Sequence, residues 1–427
     1  MYPVRYIHAA DLHLDAVLAG LSREAAPQSG QLDRLLRQAT FTAMERLFAL
    51  CEKERPDFLV IAGDIYNHED WSIRAQLMLR DACEHAATFG VRVFLAHGNH
   101  DALSSPSRLR TLRWPSNVTV FGGTVESHAV LREGEPVAFV HGISHENAKE
   151  SRNLARLFRR KNSPCFQLGV LHCTLEGSKA EHYAPCSLDD LRASELDAWA
   201  LGHVHERAVR SEQTPFVLYP GNTQGLHINE AGERGCFLIN AVPFREGFSC
   251  SAEFKPLGPV IWQTHEICVD GTEHLDVVDA LLHSALEECS ANAPSGCEAV
   301  LVRLRLTGRT SLDAELRRPA TLADLSERLR NDSVRPWVWL KDIDIQTGPM
   351  ADIGTARGRE DLLGETLRLV EAGRASPESM RELVDSALQP LRGYAKGRKA
   401  LPLLSDEECA ALLDDAERLC IDFMENR

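Results

Sequence analysis

No stretch of this chain approaches the roughly 18 consecutive apolar residues that a membrane-crossing helix requires. The opening residues, MYPVRYIHAADLHLD, lack a basic segment followed by an unbroken apolar one, so a secretory signal is not expected. The 12 cysteines, spread from Cys51 to Cys420, include no C-x-x-C pair. A chain of 427 residues with 44% hydrophobic content has core enough without a disulfide framework. Reduced, mostly structural thiols in the cytoplasm are therefore expected. Basic charge is also in deficit: Lys and Arg number 47 against 62 Asp and Glu, a formal net charge of -15. That balance argues against a protein that coats nucleic acid non-specifically. It leaves room for an enzyme acting on nucleic acid, because divalent cations held in a site reverse the local field. Neither an internal repeat nor a low-complexity tract is visible.

What is present is an alternation of short apolar runs and amphipathic stretches, the pattern of a layered α/β domain. Strands are expected at Val4 to Ala10, Phe58 to Ala62, Val91 to Ala96, Val118 to Phe121, Val137 to Val140, Gln167 to Leu171 and Ala198 to Leu201, then at Phe216 to Tyr219 and Cys236 to Ile239. Apolar residues recur at helical spacing over Leu32 to Glu54 and Arg74 to Phe89. Lys255-Pro256-Leu257-Gly258-Pro259 has the composition of a linker. Beyond it, strands at Val260 to Val269, Ala299 to Leu306 and Trp337 to Ile345 flank helices at His274 to Cys289 and Thr321 to Leu329, a small α+β domain. From Arg359 the pattern is helical to the end, broken by the basic run Arg392 to Lys399. The expected domains are 1–255, 256–350 and 351–427.

The chemistry lies in where acids, amides and imidazoles fall relative to the strands. Asp11 and His13 follow the first strand, Asp64 ends the FLVIA strand, and Asn99, His100 and Asp101 end VRVFLAH. His172 ends QLGVL, while His203 and His205 end AWAL. Five strands thus present polar groups at their C-terminal ends, the edge where open α/β sheets bind ligands. Asp64 has two oxygens and can bridge two cations about 3.5–4 Å apart. Asn99 offers an amide oxygen and the histidines offer imidazole nitrogens. A mixed N/O donor set without thiolate suits Mn²⁺, Fe²⁺ or Zn²⁺ in an open catalytic site. Such a pair of divalent ions activates a nucleophile and clamps a phosphate. His100 follows a ligand and precedes Asp101, which suggests a non-ligand histidine oriented by a carboxylate and serving the leaving oxygen. Each motif alone is a common surface turn; five in this order after apolar strands are not.

The order D-x-H, G-D, G-N-H-D, a lone His and G-H-x-H resembles the calcineurin-like metallophosphoesterase superfamily. The resemblance implies a β-sandwich flanked by helices, with a capping α+β domain and a helical C-terminus. It assigns Asp11, His13, Asp64 and His205 to one metal, and Asp64, Asn99, His172 and His203 to the other. Within that superfamily the chain is similar to SbcD-type DNA repair exonucleases of the YhaO-like branch, through His8 to Leu14, Gly63 to Tyr66, His97 to Asp101, Leu171 to Cys186 and Tyr219-Pro220-Gly221-Asn222. This implies a Mn²⁺-dependent exonuclease, DNA as substrate, an SMC-like (SbcC/YhaN-type) ATPase partner docked on the C-terminal helices, and a homodimer. Some family nucleases carry a histidine three residues after the bridging Asp; here that position is Asn67, with His68 next to it.

Arg108, Arg110 and Arg113 follow the G-N-H-D motif, and Arg156, Arg159, Arg160 and Lys161 form a second cluster. Either can contact a DNA backbone, or form a solvated face; His182 and Tyr183, on the loop after His172, face the same choice. Two other readings fit the same residues: a small-molecule or nucleotide phosphoesterase, and a non-catalytic scaffold subunit with a structural metal site.

Overall fold

The computed structural model describes residues 1–18, 30–67, 72–104, 112–176, 183–329, 336–350, 356–393 and 404–425. The N-terminal part builds two six-stranded sheets. The first contains β1 (Val4–Ala9), β2 (Phe58–Ala62), β3 (Arg92–Ala96) and β4 (Val118–Val120), all parallel. The second contains β5 (Glu126–Arg132), β6 (Glu135–Gly142), β7 (Phe166–His172), β8 (Ala198–Gly202), β9 (Ala208–Ser211) and β10 (Phe216–Tyr219). In that sheet β6, β7, β8 and β10 run parallel, with β5 and β9 antiparallel at its edges. The hairpin of β11 (Gly235–Phe244) and β12 (Gly247–Pro256) returns to the first sheet, β11 lying antiparallel to β1.

The sheets face each other across one apolar core. Tyr6, Phe58, Val60 and Phe94 of the first sheet meet Val140, Phe166, Leu168 and Leu218 of the second. The alternate residues of the first sheet, Ile7, Leu59, Ile61 and Leu95, turn outward onto α1 (Gly30–Glu54) and α2 (Ile73–Thr88). The outer face of the second sheet packs Leu171, Trp199 and Val217 against Phe158 and against Leu191 of the short helix α3 (Leu188–Arg192). All five residues of β2 are buried, which is why the FLVIA run is continuously apolar instead of alternating. Each fully buried large side chain contributes roughly 1.5–3 kcal/mol of transfer free energy, so this double-sided burial is the main anchor of the sandwich.

Downstream, β13 (Val260–Cys268), β14 (Ala299–Thr310) and β15 (Trp337–Pro349) form a three-stranded sheet, accompanied by α4 (Leu275–Ala291), α5 (Asp313–Leu316) and α6 (Pro319–Leu329). The C-terminal part is helical, with α7 (Leu362–Arg374), α8 (Pro377–Arg392) and α9 (Asp406–Glu425). Leu363, Leu367 and Ile421 share a small core there, and Arg374 pairs with Glu417 at 2.6 Å. By compactness the chain divides into two units, Met1–His265, His283–Leu304 and Ser326–Ile343 forming one, and Glu266–Leu282, Arg305–Leu325 and Asp344–Arg427 the other.

The mixed α/β sandwich expected from the sequence is therefore present. β5, β9 and β12 were not anticipated. The expected linker also needs correction: Lys255 and Pro256 pair with Cys236 and Gly235 in the β11–β12 ladder. Leu257 is buried in the first-sheet core, and its N–H donates to the Arg234 carbonyl at 2.9 Å. Most of the basic run after Arg392 lies outside the described residues.

Candidate metal centre

The C-terminal ends of β1, β2, β3, β7 and β8 come together in the first unit. The loops after β1 and β2 are zipped by main-chain bonds: Asp11 N–H to Gly63 O at 3.0 Å, His13 N–H to Asp64 O at 3.0 Å and Leu14 N–H to Ile65 O at 2.9 Å. To make this turn Asp11, His13 and Asp64 adopt left-handed backbone, with φ of 51°, 43° and 47°, as does His203 at 100°. Non-glycine residues are uncommon there, and their concentration at one place marks a site where conformation serves chemistry. Gly98 is required for a different reason. A Cβ on it would lie 2.2 Å from Asp64 Oδ1 and 2.7 Å from His172 Nε2.

Two groups of side chains converge. Asp11, His13 and His205 bring one donor atom each within 4.8 Å of one another, and so do Asp64, His172 and His203. Asn99 Oδ1 joins the second group, 2.9 Å from His172 Nε2 and 3.1 Å from His203 Nδ1. Asp64 Oδ2 stands between the groups, 3.3 Å from His172 Nε2 and 4.0 Å from His13 Nε2.

The donor chemistry fits cations. A neutral imidazole has one N–H and one lone pair. His172 donates through Nδ1 to the Ala62 carbonyl at 3.0 Å, and His205 donates through Nδ1 to Glu230 Oε1 at 2.6 Å. Their Nε2 atoms then face further donor atoms of the site, Asn99 Oδ1 and Asp64 Oδ2 in one case and His13 Nε2 at 3.1 Å in the other. Ligand-type atoms gathered this closely call for positive charge, from a proton or from a metal ion.

The ionisation of the site shows the same demand. Burial depresses His172, yet Asp64 and Asp11 outweigh it and lift its pKa to about 10. Burial raises the Asp11 carboxyl, and Asp64 adds to the rise. Burial also raises Asp64, but His172, His13 and His100 reverse this and hold it well below the usual carboxylate range. Burial drives His13 down to about 4 and His203 down to about 3. The buried carboxylates thus favour a charged imidazole: His172 above all, and also His205, which burial depresses but Glu230, Asp11 and Asp64 raise above its ordinary value.

His100 stands beside this cluster. Its N–H donates to Asp64 Oδ1 at 2.9 Å, and its ring meets His13 edge-on, centroids 5.0 Å apart. Asp101, expected to orient it, does not. Asp101 Oδ2 accepts from Ile65 N–H at 3.0 Å and faces His97 Nδ1 at 3.1 Å, while Oδ1 accepts from Gly98 N–H at 2.7 Å. Both of its oxygens are committed to the loop, so Asp101 shapes the turn that carries Asn99 and His100.

Of the basic residues, Arg108 and Arg110 lie outside the described residues, as do His68 and His182, and Arg113 is exposed. In the second cluster Arg156 pairs with Asp190 at 2.7 Å and Arg160 with Asp197 at 2.9 Å, which favours a structural role for both. Tyr183 lies over the His203 ring, centroids 4.6 Å apart. Glu230 was missed by the sequence reading. It sits in a loop with no periodicity, and the only signal was a glutamate shortly after Tyr219-Pro220-Gly221-Asn222.

Residues 4–207 match the family described as calcineurin-like phosphoesterase, and residues 262–348 match the middle domain of metallophosphoesterase YhaO. A Bacillus subtilis protein named "Uncharacterized metallophosphoesterase YhaO" is 33% identical over 353 residues, 82% of this chain and 83% of its own length. Two archaeal proteins named "DNA double-strand break repair protein Mre11" are more distant. The one from Aeropyrum pernix is 24% identical over 54% of this chain and 56% of its own length. The one from Methanopyrus kandleri is 25% identical over 55% and 54%. No helix among the described residues is long and apolar enough to cross a membrane. From the ordered motifs, the sandwich and this identity to YhaO across four-fifths of both chains, the protein belongs to the calcineurin-like metallophosphoesterase family.

Proposed function

We propose that this protein is a Mn²⁺-dependent DNA phosphodiesterase, an exonuclease of cytoplasmic DNA repair. The observation that supports it most is the convergence of two donor groups on Asp64 with His100 beside them. Asp11, His13, Asp64 and His205 would hold one ion; Asp64, Asn99, His172 and His203 would hold the other. Two bound divalent cations supply a nucleophile near neutral pH and neutralise the phosphate charge. Among the described residues nothing hydrogen-bonds the His100 ring, which leaves it able to protonate the leaving oxygen. Such a group contributes typically 10²–10⁴-fold. DNA as the substrate draws on the Mre11 names of the archaeal relatives and on the SbcD-type motifs. On this reading residues 1–255 are the nuclease domain, 256–350 a cap, and 351–427 the helices offered to an SMC-like ATPase, with a homodimer as the assembly. The exposed Leu369, Leu412, Leu419 and Phe423 of α7 and α9 suit such a docking role.

The test is cleavage of end-labelled DNA by purified protein with Mn²⁺ and with EDTA. Asp64→Ala is expected to abolish cleavage. His100→Ala is expected to lower kcat by about 10²–10⁴ while both ions still bind. A wild type inert on DNA but active on nucleotides or p-nitrophenyl phosphate would replace DNA with a small-molecule substrate.

A further inference from the structure

Glu230 is only 6% exposed, and four groups converge on its carboxylate. Oε1 accepts from His205 Nδ1 at 2.6 Å and lies 3.1 Å from His227 Nε2. Oε2 accepts from Leu226 N–H at 2.6 Å and from Asn222 Nδ2 at 2.8 Å. Asn222 closes the Tyr219-Pro220-Gly221-Asn222 turn, donates its N–H to the His205 carbonyl at 3.3 Å, and bridges Ala10, the neighbour of Asp11. Arg234 also donates to the His205 carbonyl. His205 is therefore held by its ring through Glu230 and by its main chain through Asn222 and Arg234.

This has a chemical consequence. An imidazole protonated on Nε2, or turned about its side-chain axis, has no lone pair to give at the site. By accepting the hydrogen bond of Nδ1–H, the carboxylate keeps that proton on Nδ1 and leaves Nε2 as a lone pair facing His13 Nε2. Carboxylate partners of ligating histidines typically change metal affinity by 10–100-fold. His172 uses a main-chain carbonyl for the same purpose, so the two donor groups are tuned by unlike partners.

We propose that Glu230, braced by Asn222, is a positioning residue that fixes the tautomer and orientation of His205, and so sets divalent-cation affinity at the Asp11–His13–His205 group separately from the Asp64–His172–His203 group. The proposal rests on the metal-centre reading above. A merely structural glutamate would weaken the whole loop region and both groups together.

The experiment uses full-length protein stripped with EDTA and titrated with Mn²⁺ by calorimetry and electron paramagnetic resonance, alongside thermal melts in EDTA. The wild type is expected to take up two ions and to show the signal of a coupled pair. Glu230→Gln is expected to bind one ion unchanged and the other about 10–100-fold more weakly. It then shows the uncoupled Mn²⁺ signal at intermediate metal, with a melt in EDTA close to the wild type. Asn222→Ala, which removes one of the four donors, is expected to weaken the same ion less. It carries the test if Glu230→Gln does not fold. Two ions bound with wild-type affinity in both variants, or both ions weakened equally, would overturn the proposal. A wild type that takes up no Mn²⁺ fails the metal-centre reading itself, and the proposal with it.

Discussion

At Gly98 a side chain has nowhere to go, because its first carbon would meet the Asp64 carboxylate and the His172 ring that the site needs in place. Overpacking of this kind costs about 1–3 kcal/mol when the surroundings can shift, and here the groups that shift are the donors. Gly98→Ala is expected to lose Mn²⁺ uptake and phosphoester cleavage while keeping a cooperative melt within several degrees of the wild type. Calorimetric titration beside a thermal melt checks both halves, and an alanine variant that binds Mn²⁺ normally would refute the close fit. At this scale the sequence was legible wherever a residue's type announced its chemistry. The acids, amide and imidazoles at the strand ends could be named before any coordinates. Partners set by folding were not legible. Asp101 was assigned to His100 because the two are adjacent in sequence, yet its oxygens face backward onto Ile65, His97 and Gly98. Glu230 is 25 residues from His205, and its place shortly after Tyr219-Pro220-Gly221-Asn222 does not by itself point to that partner.

Among the elements, β6 and β7 are clasped by one buried polar pair, His141 Nε2 to Gln167 Oε1 at 3.0 Å. Gln167 Nε2 in turn holds the Lys161 carbonyl at 2.8 Å. Burial lowers the His141 pKa to about 4; Lys161 and Arg160 push the same way, and the Gln167 bond opposes them. The unfolded chain takes up its proton near the ordinary histidine value of about 6.5, before the folded chain does. Stability is therefore lost as pH falls from about 6.5 toward 4, by at most about 1.4 kcal/mol per pH unit for this one group. His8 and His145, also depressed by burial, add in the same direction. Denaturant titrations from pH 7 to pH 4 should show a shallower loss for His141→Gln than for the wild type, and an equal slope would exclude His141 as a source. The strand pattern explains which elements could be foreseen. β2, and β3 after its opening Arg92, are buried on both faces and read as apolar runs. β5, β9 and β12 are edge strands, each with polar residues on an open face, so their alternation was too weak to separate from loop. Within β12 the apolar set Phe248, Cys250, Ala252 and Phe254 does follow period two, and it faces the sandwich core.

For the whole molecule, a chain of net negative charge carries a centre that wants positive charge. The net charge of -15 makes tight hold on DNA without divalent ions unexpected, and the proposed activity would depend on cations for attraction as well as for chemistry. The overall class, a layered α/β domain followed by a smaller α+β part and helices, followed from periodicity, whereas the sandwich was what the family resemblance implied. The division by compactness did not, since it passes through β13, β14 and β15, each of which continues as one strand across it. One further consequence comes from Asp11, a fully buried carboxylate with left-handed backbone, whose charge is resisted by burial and by Asp64. Its presence makes the metal-free protein less stable than the fold allows. Asp11→Asn, which keeps the shape and tolerates that backbone, should melt above the wild type in EDTA at pH 8. In Mn²⁺ the order should reverse, because an ion at about 100 times its dissociation constant adds roughly 2.7 kcal/mol to the native state that binds it. Melting curves that fail to cross would refute this. In a cell, the lifetime of such a protein would follow the supply of the metal: scarcity would expose it to proteolysis, and its abundance would report metal status before its catalysis did.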